Sequence, residues 1–242
     1  MSIELEKKFS DKRIKQQHPS FSPIDRDFIR AIKNGTLRLH ANKRRWTDII
    51  QTCRLCGYVS ETLGHVLAHC KCHASMWHLR HNDIQNRLVM AITDYNNTAS
   101  VRVVSVNRRV RGVDSTLRPD IVVDKMSDGS RLIVDVTVPV EHAHDPCRTR
   151  AAFEKARYTK NTKYRPIANA LTCQGIRTRV VALIIGALGT WDEKNAETLK
   201  ELGISTLDAM VLRNTLCLQT LKWARRIYVR HMTMGKRNTP KH

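Results

Sequence analysis

The stretch from Arg118 to Asp135, RPDIVVDKMSDGSRLIVD, limits the fold more than any other part of the chain. Two β-branched apolar runs flank Asp128-Gly129: Ile121-Val122-Val123, and Leu132-Ile133-Val134 continued by Val136 and Val138. Asp-Gly suits a two-residue type I′ hairpin turn. A turn centred on that pair sets Asp120 opposite Thr137 and Val122 opposite Asp135. Side chains alternate along a strand. Ile121, Val123, Leu132, Val134, Val136 and Val138 then form an apolar face to be buried, and the acids fall on the face that points to a cleft. Asp120 and Asp135 become diagonal neighbours about 7–8 Å apart, close enough to hold one divalent metal. A one-residue slip would send them to opposite faces. An aspartate before an apolar run is commonly only a strand-start residue. Asp135, however, lies inside Ile-Val-Asp-Val-Thr-Val, where a charge is costly without a partner or a metal. Glu141 has the same parity and is a third candidate, with Pro139 between them.

Charge narrows the partners. The 242 residues hold 42 Lys and Arg against 22 Asp and Glu, a net charge of +20 and a pI near 10.1. Such a field attracts polyanions, nucleic acid first. A membrane is not expected as a partner. The N-terminus is charged, no secretory signal is evident, and the longest apolar run, Val180 to Leu188, is too short to span a bilayer. Residues 1–22 read as a basic flexible arm carrying Lys7, Lys8, Lys12, Arg13 and Lys15, and 236–242 as a basic tail. Candidate nucleic-acid contacts are Arg44 and Arg45 beside Trp46, then Arg108, Arg109 and Arg111 in a loop, and Arg118. A solvated loop explains the middle three as well.

A second motif is Cys53-x2-Cys56-x8-His65-x4-Cys70. Four S and N ligands suit tetrahedral zinc. Cys53-Arg54-Leu55-Cys56-Gly57 forms a knuckle, and a short helix from Glu61 to Cys70 delivers His65 and the last ligand. His69, one turn after His65, competes with Cys70 for that place. Cys72, His73, His78 and His81 read as surface or core residues. With four protein ligands the zinc would be structural, supplying folding energy to a unit with little core.

Further helices are expected over 24–34, 73–95, 150–164, 192–202 and 206–230, and strands over 101–106 and 178–188. The 73–95 helix places Met76, Leu79, Ile84, Leu88 and Met90 on an apolar face. Leu207, Met210, Val211, Leu216, Leu218 and Leu221 are core candidates of the last helix. On the 150–164 helix Ala152, Ala156, Lys160 and Lys163 share a face, so both lysines can approach the acids while Lys155 points away. Tyr164 would seat the helix end. The break Tyr95-Asn96-Asn97-Thr98 marks a module boundary: 23–97 a helical linker with the zinc knuckle at 53–70, and 98–235 the catalytic domain.

Two acids and a lysine on a mixed sheet are the parts of a metal-dependent phosphodiesterase. At this point a resemblance enters. Arg118-Pro119-Asp120, fourteen residues, then Asp135 resembles the PD-(D/E)xK nuclease signature, except that Thr137 stands where its lysine would be. In the restriction-like endonucleases of site-specific non-LTR retrotransposons the lysine lies on the following helix as K-x-x-K-Y, and Lys160-Asn161-Thr162-Lys163-Tyr164 is similar to that. Those proteins carry a Cys-Cys-His-Cys knuckle just upstream; Cys53 to Gly57, Glu61-Thr62-Leu63, His65-Val66-Leu67, Cys70 and Arg80-His81-Asn82 resemble that segment. The resemblance spans about residues 25–230. It implies an α/β fold, a restriction-like core of mixed sheet flanked by helices, preceded by a small helical zinc-knuckle module. It also implies a Mg²⁺-dependent DNA endonuclease with Asp120 and Asp135 on the metal, Lys160 as catalytic lysine and Lys163 assisting. Such an enzyme nicks chromosomal DNA to prime reverse transcription in the nucleus, with the element RNA and a reverse transcriptase portion as partners. No polymerase Asp-Asp motif is present, so the chain is expected to be the C-terminal part of such a polyprotein. A degenerate copy that grips nucleic acid without cutting is the alternative, and an adaptor docking on the polymerase part a third.

Overall fold

A computed structural model describes residues 21–40, 42, 52–94, 100–142 and 145–237. Residues 1–20 of the expected arm, the Arg44-Arg45-Trp46 cluster, the expected break at 95–98 and the end of the tail lie outside the described residues. The elements are α1 (Pro23–Lys33), α2 (Leu63–Ala68), α3 (Ala74–Asp94), β1 (Val101–Val106), β2 (Ile121–Lys125), β3 (Arg131–Thr137), α4 (Pro146–Cys173), β4 (Thr178–Ile184), α5 (Asn195–Glu201) and α6 (Thr206–Arg237). The chain is α/β, with one four-stranded mixed sheet flanked by helices. Strand order is β1-β2-β3-β4; the first three pair antiparallel, and β4 runs parallel to β3 after the α4 crossover. Among the described residues no helix is long and apolar enough to cross a membrane.

Both faces of the sheet are covered, as its Val- and Ile-rich central strands require. The face expected to be buried packs Ile121, Val123, Leu132, Val134 and Val136 against Ile84, Leu88, Ala91 and Ile92 of α3 and Leu212 and Leu216 of α6. The acid face is not the open cleft expected. Val122 and Ile133 lie on it, under Tyr164, Ile167, Ala168 and Leu171 of α4. A further cluster joins Phe28, Val66 and Leu67 to Leu221, Ala224 and Ile227 of α6. Residues from both sides of position 97 therefore share these cores.

The β2–β3 turn differs from expectation. Ile121 pairs with Val134, Val123 with Leu132 and Asp124 with Arg131. This register is two residues from the one that a 128–129 turn demands, and the loop is Met126 to Gly129. Gly129 alone takes positive φ, +64°. Asp128 instead closes the loop with its side chain, Oδ1 accepting from the Ser130 N–H at 3.1 Å and hydroxyl at 2.6 Å. Arg131 then meets Asp124 with two donors, Nε to Oδ1 at 2.6 Å and Nη2 to Oδ2 at 3.1 Å. A two-residue shift is one full side-chain period, so every residue keeps its face. One step beyond Ile121↔Val134, Asp120 comes opposite Asp135 rather than Thr137.

Several helices also depart from the sequence reading. The short helix covers only Leu63–Ala68, and α4 runs to Cys173, so Tyr164 is buried mid-helix rather than at an end. Leu79, Met90, Leu207 and Met210 are exposed. On α3 the stripe is instead completed by Ala91 and Ile92.

The Arg131 hydrogen bond and charge hold the Asp124 carboxyl below the usual carboxylate range. A depressed folded value adds stability that is present above the ordinary range and lost as pH falls through the folded value. Asp124→Asn is expected to lose about 1–2 kcal/mol in urea unfolding at pH 7, with the gap to wild type closing on acidification. A gap unchanged at low pH contradicts this.

Candidate functional site

Asp120 sits at the bend just before β2, behind buried Pro119. Its Oδ2 accepts the Val136 N–H at 2.7 Å and lies 2.9 Å from Nε2 of His81 on α3. The same Nε2 is 3.1 Å from the Val136 carbonyl, so its proton serves two acceptors at the strand ends. Burial alone would lower the His81 pKa, but the Asp120 hydrogen bond and charge outweigh it and the value is raised. Asp135, only 1% exposed, lies on the same face. Lys160 Nζ reaches its Oδ2 at 2.5 Å, an ion pair by distance. Lys160 and the Tyr164 hydroxyl are the groups whose hydrogen bonds draw this carboxyl down. Burial pushes the Asp135 carboxyl up, the Asp120 charge adds to this, and Lys160 opposes it; the net shift is upward. A crowded, desolvated acid pair of this kind gains from a further cation.

The structure thus brings Asp120, Asp135 and Lys160 together. Lys163 is exposed and turns to Tyr164 instead, 2.9 Å from the phenol oxygen and 4.6 Å from the ring centroid. The Tyr164 hydroxyl donates to the Arg118 carbonyl at 3.2 Å, tying α4 to the loop that delivers Asp120. Lys155 is exposed. Glu141 is engaged elsewhere: its Oε1 accepts the N–H groups of Leu188 at 2.8 Å and Thr190 at 3.2 Å. Among the described residues no hydrogen bond or ion pair joins it to either aspartate. Arg108, Arg109, Arg111 and Arg118 are all exposed, on a loop pinned by Val110, which is buried under α4. His81 is the residue that the sequence reading took as surface or core and did not place among the site residues. The polar triplet Arg80-His81-Asn82 was its only signal, since helical periodicity does not say which strand ends a side chain overhangs.

The knuckle folds around Gly57 at φ +70°. Cys53 N–H donates to the Tyr58 carbonyl at 2.7 Å, and Gly57 N–H to the Cys53 carbonyl at 2.9 Å. Thr62 caps α2, its hydroxyl accepting the His65 N–H at 3.1 Å. The Tyr58 ring stacks on His65 at 4.6 Å. The ligand atoms of Cys53, Cys56, His65 and Cys70 all lie within 4.8 Å of one another. Cys53 Sγ is 3.8 Å from Cys70 Sγ, and Cys56 Sγ is 3.2 Å from His65 Nε2. Burial raises the Cys70 thiol, and the neighbouring Cys53 charge raises it further; three gathered thiols cannot all ionise without a cation. The set could hold a metal ion such as zinc, whose preferred donors these are. Cys70 belongs to it, while His69 is exposed outside it. Compared with known proteins, the chain matches no family model, and no curated protein matches it.

Cys70→Ser is expected to strip bound zinc from the purified chain, and His69→Gln to leave the content unchanged, as read by elemental analysis. The reverse pattern would contradict the ligand set.

Proposed function

We propose that this chain is a divalent-metal-dependent DNA endonuclease whose working groups are Asp120, Asp135 and Lys160. The observation that carries the reading is the buried Asp135 carboxylate, on one sheet face with Asp120 and paired with Lys160. Hard carboxylate oxygens fit Mg²⁺, and the oxygens of this pair not taken by Val136 and His81 would hold it. When bound, the metal neutralises charge on the scissile phosphate and makes water more acidic. Lys160 opposes the upward push on the Asp135 carboxyl at rest and turns its ammonium to the phosphate during the reaction. Lys163, one residue from Tyr164, assists from the rim. The exposed arginines of the 108–118 loop contact the DNA backbone, in keeping with the net charge of +20. A structural zinc in the Cys53, Cys56, His65 and Cys70 set completes the protein. The resemblance to retrotransposon endonucleases supports nicking of chromosomal DNA in the nucleus to prime reverse transcription, with element RNA and a reverse transcriptase portion as partners.

One observation favours a second reading. Asp120 Oδ2 is already held by Val136 and His81, and Asp135 by Lys160. A site closed in this way also suits a copy that binds nucleic acid without cutting it.

Nicking of supercoiled plasmid with Mg²⁺ or Mn²⁺ separates the two. Asp135→Ala and Lys160→Ala are each expected to cut at least about 100-fold more slowly than wild type, with DNA affinity little changed. Undiminished nicking by Asp135→Ala would overturn the assignment. DNA bound with steep salt dependence but cut by no variant, wild type included, selects the binding module.

A further inference from the structure

Behind the cysteine–histidine set lies a polar chain in which three residues, Glu61, His231 and His73, are each fully buried. Glu61 Oε1 accepts from the Arg54 backbone N–H at 3.0 Å and Nε at 2.8 Å, and lies 2.8 Å from His231 Nε2. Its Oε2 accepts from the His40 N–H at 2.9 Å and from Arg54 Nη2 at 2.6 Å. Burial alone would raise this carboxyl, but the His231 and Arg54 hydrogen bonds overcome it and hold the group far below the usual range. An ionised carboxylate only accepts, so the proton of that contact sits on His231 Nε2. On its other side His231 Nδ1 faces His73 Nε2 at 2.9 Å. Glu61, His231 and His73 thus form one continuous hydrogen-bonded chain.

This chain runs along the thiols. His231 Nε2 is 4.0 Å from Cys53 Sγ, and ligand atoms of Cys70, His73 and His231 lie within 4.8 Å of one another. Three thiolates and a neutral imidazole around one Zn²⁺ leave one net negative charge. N–H donors beside the sulfurs offset it, and partners of this kind change metal affinity by about 10–100-fold. A second metal shared by Cys70, His73 and His231 is the competing account. A hydrogen bond between His231 and His73 accounts for the 2.9 Å contact without it.

We infer that Glu61, His231 and His73 form an outer ring around the zinc position, with His231 the positioning residue through which the last helix secures the metal. The inference rests on the metal reading of the four-residue set. His231 stands on α6, whose earlier turns pack against the sheet. Zinc occupancy and docking of the helix end are thus linked, and linkage is reciprocal.

The test uses the full chain loaded with Zn²⁺ or Co²⁺. Asp135→Ala, which lacks the acid site, should take up one ion. In that chain His231→Leu should weaken Zn²⁺ binding by about 10–100-fold in competition with a chromophoric chelator and shift the thiolate-to-Co²⁺ absorption band. His231→Gln, which keeps an N–H toward Glu61, should recover most of the affinity. Affinity for His231→Leu within twofold of its parent, whatever its melting temperature, overturns the inference, and so do two ions per Asp135→Ala chain. Hydrogen exchange needs no variant: metal removal should lower protection around residues 227–235 more than around 206–220. Equal protection with and without metal overturns the link. A wild-type chain that takes up no metal overturns the metal reading and this inference with it.

Discussion

The acid site depends on how β2 and β3 are paired. The two strands carry one aspartate each at the same end, and only a register of the right parity puts both on one face. The register is set at the other end of the hairpin. There Asp128 closes the loop with its carboxylate, and Arg131 clasps Asp124 with two donors. From that clasp the apolar residues fall to α3 and α6, Val122 and Ile133 fall to α4, and Asp120 comes beside Asp135. A part-buried ion pair and a loop cap thus control the geometry of buried carboxylates several residues away.

What lies over the acids follows from the crossover. A parallel β3–β4 pair needs a long connection, and α4 supplies it across the acid face. Its first turns anchor through Phe153 against Ala182 and Ile184, and its later turns through Tyr164, Ile167 and Leu171. Between these anchors Lys160 reaches Asp135. The last helix performs a similar service on the opposite side, joining the sheet, α1 and α2, and at His231 the underside of the knuckle. The knuckle and the sheet are consequently parts of one packed structure rather than beads on a linker.

The sequence was most legible where alternation and spacing carry the information. The two faces of the hairpin, the shared face of Asp120 and Asp135, the approach of Lys160 and the gathering of Cys53, Cys56, His65 and Cys70 all follow from period and ligand spacing. The turn misled because Asp-Gly has two uses. Only Gly129 took the positive φ, and Asp128 served as a side-chain acceptor. Cys70 was separated from His69 only by the end of α2, which a sequence does not fix to one residue. His73 and His231 were illegible, and the contact of His81 with Asp120 was too, for a different reason. Their roles arise from contacts between residues far apart in the chain, and an isolated histidine on a helix carries no mark of its distant partner.

The central claim is that Asp120 and Asp135 together hold a divalent cation. Anomalous diffraction from crystals of the full chain soaked in Mn²⁺ tests it most directly. The account predicts a peak between the two carboxylates, with Lys160 displaced from Asp135, and its loss in Asp120→Asn. A site that stays empty while Lys160 keeps its contact, or a peak that survives Asp120→Asn unchanged, would contradict it.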